Sequence, residues 1–317
     1  MALIFALLTQ VAQMAFVLAL APLLVGVIRK AKARLLRRRG PSIIQPYRDL
    51  LRLLRKEVVL AENASWLFRS APYIIFATTW VAASLVPTFA TGVMFSWSAD
   101  LIVITALLGS ARLFLALAGM DVGTSFGGIG SSRETMFASL AEPAMIMIVF
   151  IVSLIAGSTD LSVIATHMLS QLQLRVSFGL ALIGLVIVAI AENGRVPVDN
   201  PATHLELTMV HEAMVLEYSG RHLAVIELAA ALKLLLYVSL IVCIFVPWGL
   251  APYEAGAGAM ALSAVIYAGK LSVAGLLLAL FEISTAKMRV FRVPDFLGSA
   301  LMLGLLGILL LFVSRSL

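Results

Sequence analysis

Cysteine, charge and long polar connections are all scarce in this chain. Its 317 residues contain one cysteine, Cys243, set in an apolar run. One thiol closes no internal disulfide, and an iron–sulfur cluster normally takes about four cysteine ligands. Redox centres are therefore expected on partner polypeptides and not here. Charged residues make up only 13% and apolar ones 62%, against roughly 25% and about 45–50% in soluble domains. With a mean hydropathy of +1.05, so much apolar surface has nowhere to hide in water. The chain reads as an all-α, polytopic membrane protein. Its opening run, MALIFALLTQVAQMAFVLALAPLLVGVI, lacks a basic n-region and exceeds the ~7–15 apolar residues of a signal peptide, so it reads as a first span that is kept. No extramembrane segment is long enough to fold alone, which leaves residues 1–317 as a single integral membrane domain.

A helix crossing ~30 Å of hydrocarbon needs about 20 mainly apolar residues. That measure gives about eight transmembrane helices, at 2–28, 67–90, 99–120, 134–157, 176–192, 223–247, 259–282 and 296–314, the fifth being the shortest. Apart from Arg175, Lys233, Lys270 and Arg315, every one of the 23 Lys and Arg residues lies in or beside the first, third, fifth or seventh connection. The positive-inside rule puts those connections in the cytoplasm and both termini outside. The outer segments 87–98, 158–175 and 248–258 read as plain connections.

The first connection holds RKAKARLLRRR followed by GPSIIQPYRDLLRLLRKEVVL. On a helical wheel Tyr47, Leu50, Leu51, Leu54 and Val58 share an arc of about 100°, with Arg48, Arg52, Arg55 and Lys56 on another. This predicts a cytoplasmic amphipathic helix in the headgroup layer of the lipid bilayer. Anionic-lipid contact explains the charge by itself; a sharper reading has Arg48 and Asp49 face a docked soluble subunit. Nucleic acid is a poor partner for charges lying flat against a membrane. The third connection, GMDVGTSFGGIGSSRE (119–134), is glycine-rich, but it lacks the Lys and the preceding strand of a phosphate-binding loop. Its glycines and Asp121 are expected to allow an irregular backbone against protein or a water-filled cavity.

Ionisable groups inside spans cost about 2.5–3.5 kcal/mol each on insertion scales and are functional suspects by default. Glu142 lies ~12 Å into the fourth span at 1.5 Å per residue. Lys233 and Lys270 lie near the middle of theirs, while Arg112, Glu227 and Glu282 sit nearer the cytoplasmic face. One reading makes these groups helix-gluing Lys–Glu pairs. The other makes them proton-exchanging groups with buried water between them, since desolvation disfavours the charged form of either side chain.

The most polar stretch is AENGRVPVDNPATHLELTMVHEAMVLEYSG, residues 191–220. It gathers Glu192, Asp199, Glu206, Glu212 and Glu217 around Arg195, and Pro197 and Pro201 disfavour a continuous helix; 202–217 is expected to form a short one. His204 and His211 are seven apart on one helical face, but HEAMV lacks the second His of the HExxH zinc pattern. Loop polarity is the bland reading. Glu192 at a membrane boundary, leading into an acid-rich turn, points to a proton entry funnel or a docking seat.

Four segments carry a resemblance: RRRGPSIIQPYRDLLRLLRKE (37–57), GMDVGTSFGGIGSSRE (119–134), AENGRVPVDNPATHLEL (191–207) and EYSGR (217–221). Together with the number and order of the spans, they make the chain resemble the membrane subunit that forms the quinone site of respiratory complex I. It looks closer to the relatives in energy-converting hydrogenases and formate hydrogenlyase. The DxGxxFxGxGxSRE form of the second segment favours that hydrogenase branch, which Lys233 and Lys270 also match. Complex I members usually read Pro-Phe-Asp-Leu and then Glu-Ala-Glu where this chain has Pro-Val-Asp-Asn-Pro-Ala-Thr-His.

What the resemblance implies is a non-catalytic subunit of an oxidoreductase complex in the cytoplasmic (inner) membrane, with no cofactor of its own. Iron–sulfur clusters, and a nickel–iron centre where one is kept, would belong to soluble hydrogenase-like large and small subunits and a ferredoxin-like subunit. Antiporter-like membrane subunits would move protons or sodium. By the resemblance Glu192, Arg195, Asp199, Glu206 and Glu217 match an acidic funnel facing the soluble arm, and Glu142 a buried carboxylate. Glu212 and His211 join from position alone, and Glu227, Lys233 and Lys270 as further proton-transfer candidates. Arg48, Asp49, Asp121, Arg133 and Arg195 are the docking candidates. The alternatives are a quinone-site subunit of a complex I-type NADH:quinone oxidoreductase, a free-standing transporter and a purely structural anchor.

Overall fold

A computed structural model describes residues 2–92, 94–170, 175–199, 210–252 and 255–316. Helices α1 (Ala2–Leu35) and α2 (Gln45–Leu54) lead into α3 (Trp66–Leu85), α4 (Leu101–Asp121) and α5 (Ser125–Ala156). Next come α6 (Leu161–Ser170), α7 (Val176–Glu192), α8 (His211–Val215) and α9 (Gly220–Phe245). The chain closes with α10 (Gly256–Ser284) and α11 (Val293–Ser316). Every expected span falls on a helix. Among the described residues six of these helices, α1, α4, α5, α9, α10 and α11, are long and apolar enough to cross a membrane; α7, with 17 residues, is short as anticipated.

Helix α9 runs through the centre. It is mostly apolar, with Leu232, Leu235 and Leu240 fully buried, as expected of a helix surrounded by others. It packs on α1, α3 and α7. Helices α10 and α11 lie at the rim, where much of their apolar surface is open and lipid would replace protein. Lipid tails are as apolar as leucine, so close contact through small residues drives association inside a bilayer. Helix α11 shows this directly: at Gly304 a Cβ would come 2.8 Å from Met147 Cβ, and at Gly307 2.6 Å from Ile151.

Two faces result. On one, the basic face, the connections after α1, α4, α7 and α10 meet. On the far face the loops are laced together: β1 (Ala90–Thr91) pairs in parallel with β2 (Ala251–Pro252), and Asp100 bridges to Asp160. Asp100 caps α4 through Ile102 N–H and accepts from the Thr159 hydroxyl at 2.5 Å. The far-face segments are therefore not plain connections, since they hold two short strands and α6.

The glycine-rich segment after α4 departs from expectation. It is not an irregular loop: only residues 122–124 turn, Gly123 has φ +71°, and α5 starts at Ser125. Thr124 caps it by accepting from Gly127 N–H at 3.3 Å. The glycines serve packing instead. A Cβ on Gly127 would sit 2.0 Å from the Gly119 carbonyl, and one on Gly130 would sit 2.9 Å from Met214 and the Val210 carbonyl. These gaps let α4, α5 and α8 close on one another.

Helix α2 forms as expected but ends at Leu54, which leaves Val58 beyond it. Pro46 is buried and Tyr47 donates to the Ala19 carbonyl of α1, while Leu51 and Leu54 stay exposed, as a headgroup-layer helix requires. The strand of chain after α2 is held by EYSG. Tyr218 stacks on Phe68 at 4.0 Å and donates to the Phe68 carbonyl at 3.0 Å. Burial first, and the Asp121 carboxylate second, push its phenol above the ordinary value, keeping it a neutral donor. Ser219 accepts from Val59 N–H and donates to Val59 C=O, both at 2.8 Å. Gly220 has φ +53° and its missing side chain makes room for the Glu57 carbonyl. The motif is a buckle across the basic face.

Gly127→Ala should lower the thermal stability of the purified subunit by about 1–3 kcal/mol through overpacking. Gly128→Ala, which meets nothing within 4 Å, should be neutral or gain roughly 0.5–1 kcal/mol from helix propensity. Melting both in detergent checks the pair, and equal shifts would contradict the close-packing role.

Candidate functional site

Arg112 on α4 is the centre of a charge network drawn from four helices. Its Nε lies 3.1 Å from Glu134 Oε1 and one terminal nitrogen lies 3.8 Å from Glu142 Oε1, both acids on α5. Its other terminal nitrogen is in direct contact with Glu192, the last residue of α7. Lys233 on α9 reaches the second Glu192 oxygen at 2.8 Å. The side chains of Arg112 and Glu192 are only 6% and 7% exposed, so neither ion has bulk water as an alternative partner.

Fully ionised, the cluster has two cations and three carboxylates and thus one negative charge in excess. Binding one proton would make it neutral. The two forms would differ by one charge in a poorly screened place. A cavity of about 50 Å³ adjoins it, lined by Arg112, Glu134, Glu192, Asp199, His211 and Lys233 among others. One water needs ~10–15 Å³ by this measure, so a few waters can bridge the network to the loop residues that close the cavity.

Those loop residues form a second network. Glu282 on α10, 1% exposed at its side chain, contacts Lys32 of α1 and lies 3.5 Å from Arg195. Burial pulls the Arg195 guanidinium below its ordinary value, and the Glu282 carboxylate opposes that pull. Asp199 accepts from Lys287 at 2.7 Å and from Val210 N–H at 3.3 Å, and Met288 N–H donates to the Pro197 carbonyl at 2.9 Å. The seven residues from Asn193 to Asp199 thus tie the end of α7 to α10 and the α10–α11 connection, and through Glu282 to Lys32 of α1.

A sequence profile described as NADH dehydrogenase matches residues 8–313. The chain belongs to the NADH dehydrogenase family. It is 35% identical over 277 residues to formate hydrogenlyase subunit 4 of Escherichia coli strain K12, covering 87% of this chain and 89% of that protein. It is 35% identical over 238 residues to hydrogenase-4 component C of the same strain, covering 75% of each. A subunit of the NADH-quinone oxidoreductase of Salinibacter ruber is 28% identical over 254 residues, with 74% and 70% covered. The fold is also that of a chain in the membrane-bound sulfane sulfur reductase, an archaeal respiratory membrane complex, at a TM-score of 0.79 and 20% identity over 95% and 98% of the two chains. With its apolar helices, this family member is a multi-pass membrane protein.

Within this NADH dehydrogenase-family fold the expected residues separate into groups. Glu142 and Glu192 come together on Arg112 and Lys233 joins them through Glu192, while Asp199 and Arg195 share the adjoining loop. Glu142, implied as a buried carboxylate, instead opens onto the flank of the chain, 49% exposed. Glu227 is exposed on α9, in the electrostatic neighbourhood of His211, Glu212, Arg29 and Asp49. Glu217 is exposed and Glu212 half-buried; Glu206 and His204 lie outside the described residues. Lys270, expected near the midplane, sends its ammonium to the far-face carbonyls of Val246, at 2.6 Å, and Trp248. Side chains lean toward their helix N-terminus, and on α10 that end is the far one.

The docking candidates behave differently from one another. Arg48 is exposed on α2. Asp49 is engaged by its own chain, with Gln45 donating at 3.0 Å and Arg52 paired at 3.6 Å. Asp121 accepts from Ser65 N–H at 2.9 Å and so secures the start of α3, and Arg133 is half-buried. Sequence reasoning placed Arg112 and Glu282 in the membrane without a site role and did not single out Glu134, Lys32 or Lys287. The eight-residue spacing of Glu134 and Glu142, which sets both near one helix face, was the available signal.

Arg112→Met should destabilise the purified subunit by about 3–5 kcal/mol, because carboxylates would stay buried without their cation. Glu142→Gln, at a half-exposed position, should cost less than ~1 kcal/mol. Denaturation curves in detergent check this, and similar losses for both would remove Arg112 from the centre.

Proposed function

We propose that this chain is the membrane-anchoring, ion-coupling subunit of an energy-converting hydrogenase or formate-hydrogenlyase-like complex. The observation that carries this reading is Glu192, fixed between Arg112 and Lys233 in a network with one excess carboxylate, beside a water-sized cavity under the basic face. The choice of complex is supported by 35% identity to formate hydrogenlyase subunit 4 and hydrogenase-4 component C, against 28% to the NADH-quinone oxidoreductase relative.

In this reading the basic face is cytoplasmic, both termini are on the outer side of the inner membrane, and a soluble arm docks over the loop 193–199. Iron–sulfur clusters and any nickel–iron centre belong to that arm's large, small and ferredoxin-like subunits. Electrons arriving there make the potential above the loop more negative, which favours proton uptake from the cavity onto Glu192. Protonation removes the charge that Arg112 and Lys233 share. Both cations then turn more strongly to Glu134 and Glu142, which face the same guanidinium. Glu142 opens to the flank, where an antiporter-like membrane subunit receives the change in charge. The loop transmits the same event mechanically, because Arg195 and Asp199 bind α10 and its following connection.

Glu192→Gln in the assembled complex should lower ions moved per electron by about tenfold or more, as expected for loss of a positioned proton carrier, and Glu142→Gln should lower the same ratio. Ion uptake by inverted vesicles, driven by a reduced viologen dye, measures it. An unchanged ratio in an assembled Glu192→Gln complex refutes the role. Quinone reduction competing with a site inhibitor would assign the chain to a complex I-type enzyme instead, and ion flux through the purified chain alone would make it a free-standing transporter.

A further inference from the structure

On the far face two small cavities, each with about 10 Å³ for water, share Pro87. The first is lined by Thr88, Cys243, Ser263, Tyr267 and Lys270. The second is lined by Gln10, Gln13, Ser84, Ser96 and Ser162 and reaches the connection before α4. Three buried oxygens, Gln10 Oε1, Gln13 Oε1 and Thr88 Oγ1, have no partner among the described residues, although Gln10, Gln13 and Thr88 are at most 3% exposed. Buried polar atoms are nearly always hydrogen-bonded, to protein or to ordered water. Each space is about what one water needs. The amide nitrogens are already committed: Gln13 donates to the Ser84 and Val86 carbonyls at 3.1 and 2.9 Å, and Gln10 to Ser84 at 3.5 Å. Among the described residues no protein donor reaches these oxygens, and a water in either cavity would supply one.

Lys270 stands at the inner end of this polar seam. Two of its three N–H groups go to the Val246 and Trp248 carbonyls, and no ion pair involves it among the described residues. Its third N–H is available to the cavity it lines with Thr88. From Lys233, α9 carries Tyr237, within electrostatic reach of Arg112, Glu134 and Glu142, and then Ser239, whose hydroxyl lies 2.6 Å from that of Tyr267. Tyr267 lines the Lys270 cavity. Ser239 and Tyr267 thus bring a pair of hydrogen-bonded hydroxyls from α9 to the edge of the Lys270 cavity.

We infer that these two cavities hold ordered water and form a far-face proton outlet, with Lys270 as the proton-transferring group and Thr88, Gln13 and Gln10 as the acceptors that hold its water. The inference rests on the ion-coupling reading above. The step is a plain proton transfer: the Lys270 ammonium gives one proton to the adjacent water, leaving an amine and a hydronium ion. The amine regains a proton from the inner side through the Tyr267 and Ser239 hydroxyls. For this the Ser239 O–H turns toward Tyr267 from the Leu235 carbonyl, to which it donates at 2.6 Å, and the Tyr267 O–H turns into the cavity. The backbone carbonyls of Val246 and Trp248 keep the nitrogen in place in both forms.

The test compares Lys270→Arg, Lys270→Met, Thr88→Val and Glu192→Gln in the whole membrane complex, reading protons moved per electron in inverted vesicles driven by reduced viologen. Lys270→Arg keeps a cation on the two carbonyls but does not release its proton, since a guanidinium stays charged in proteins. Expected is a fall of about threefold or more for both Lys270 variants and for Thr88→Val, as for loss of an intramembrane proton station. A wild-type ratio in Lys270→Arg and Thr88→Val overturns the outlet. If Glu192→Gln collapses the ratio at the same time, only the outlet falls; if it too is silent, the ion-coupling reading falls with it. Failure of Lys270→Arg and Thr88→Val alike to assemble would assign the seam to packing and overturn the proposal as well.

Discussion

A guanidinium that stays charged inside a membrane protein must be met by carboxylates, and this requirement organises the structure around Arg112. Leaving such an ion unpaired costs several kcal/mol even after relaxation. The partners come from α5 and α7, and Lys233 of α9 neutralises the far side of Glu192. Four helices are thereby fixed to one another in a place where apolar packing gives little directional preference. The pairing does not balance, and the surplus carboxylate turns a structural clasp into something that can gain or lose a proton.

The second consequence concerns position. Glu192 ends α7, and the loop that follows is bound within a few residues to α10 and the α10–α11 connection through Arg195–Glu282 and Asp199–Lys287, with Lys32 of α1 joined to the same Glu282. Any change of charge at Glu192 therefore borders directly on a surface loop that is not free to move by itself. The ion-coupling role proposed above depends on this continuity between a buried ion and an exposed surface. The buckle made by Tyr218, Ser219 and Gly220 adds a fixed frame around it by holding the chain after α2 against α3 and α9.

Much of this was legible from residues. The expected spans land on helices because bilayer thickness dictates a run length, and α2 follows from the separate arcs of its Leu and Arg residues. Glu142 and Lys233 were singled out because charge is so costly in a span, and Glu192 because it stands at a membrane boundary before an acid-rich turn. The glycines of 127–130 were misread as loop-forming, because a glycine that admits a neighbouring backbone looks the same in sequence as one that turns the chain. EYSG likewise signalled a specific structure without revealing that Tyr218 and Ser219 bind the chain's own backbone. Lys270 was placed by counting residues, which ignores the direction in which a lysine side chain leans.

The sequence by itself determined that the chain is a bundle of apolar helices with a basic face, since composition and run length answer directly to the solvent. It also determined which ions would be out of place there. Which of them meet was decided only by tertiary structure. Arg112 and Glu134 sit on consecutive helices, but Glu192 and Lys233 come from two helices much later in the chain, and their contact depends on where small residues allow those helices to approach.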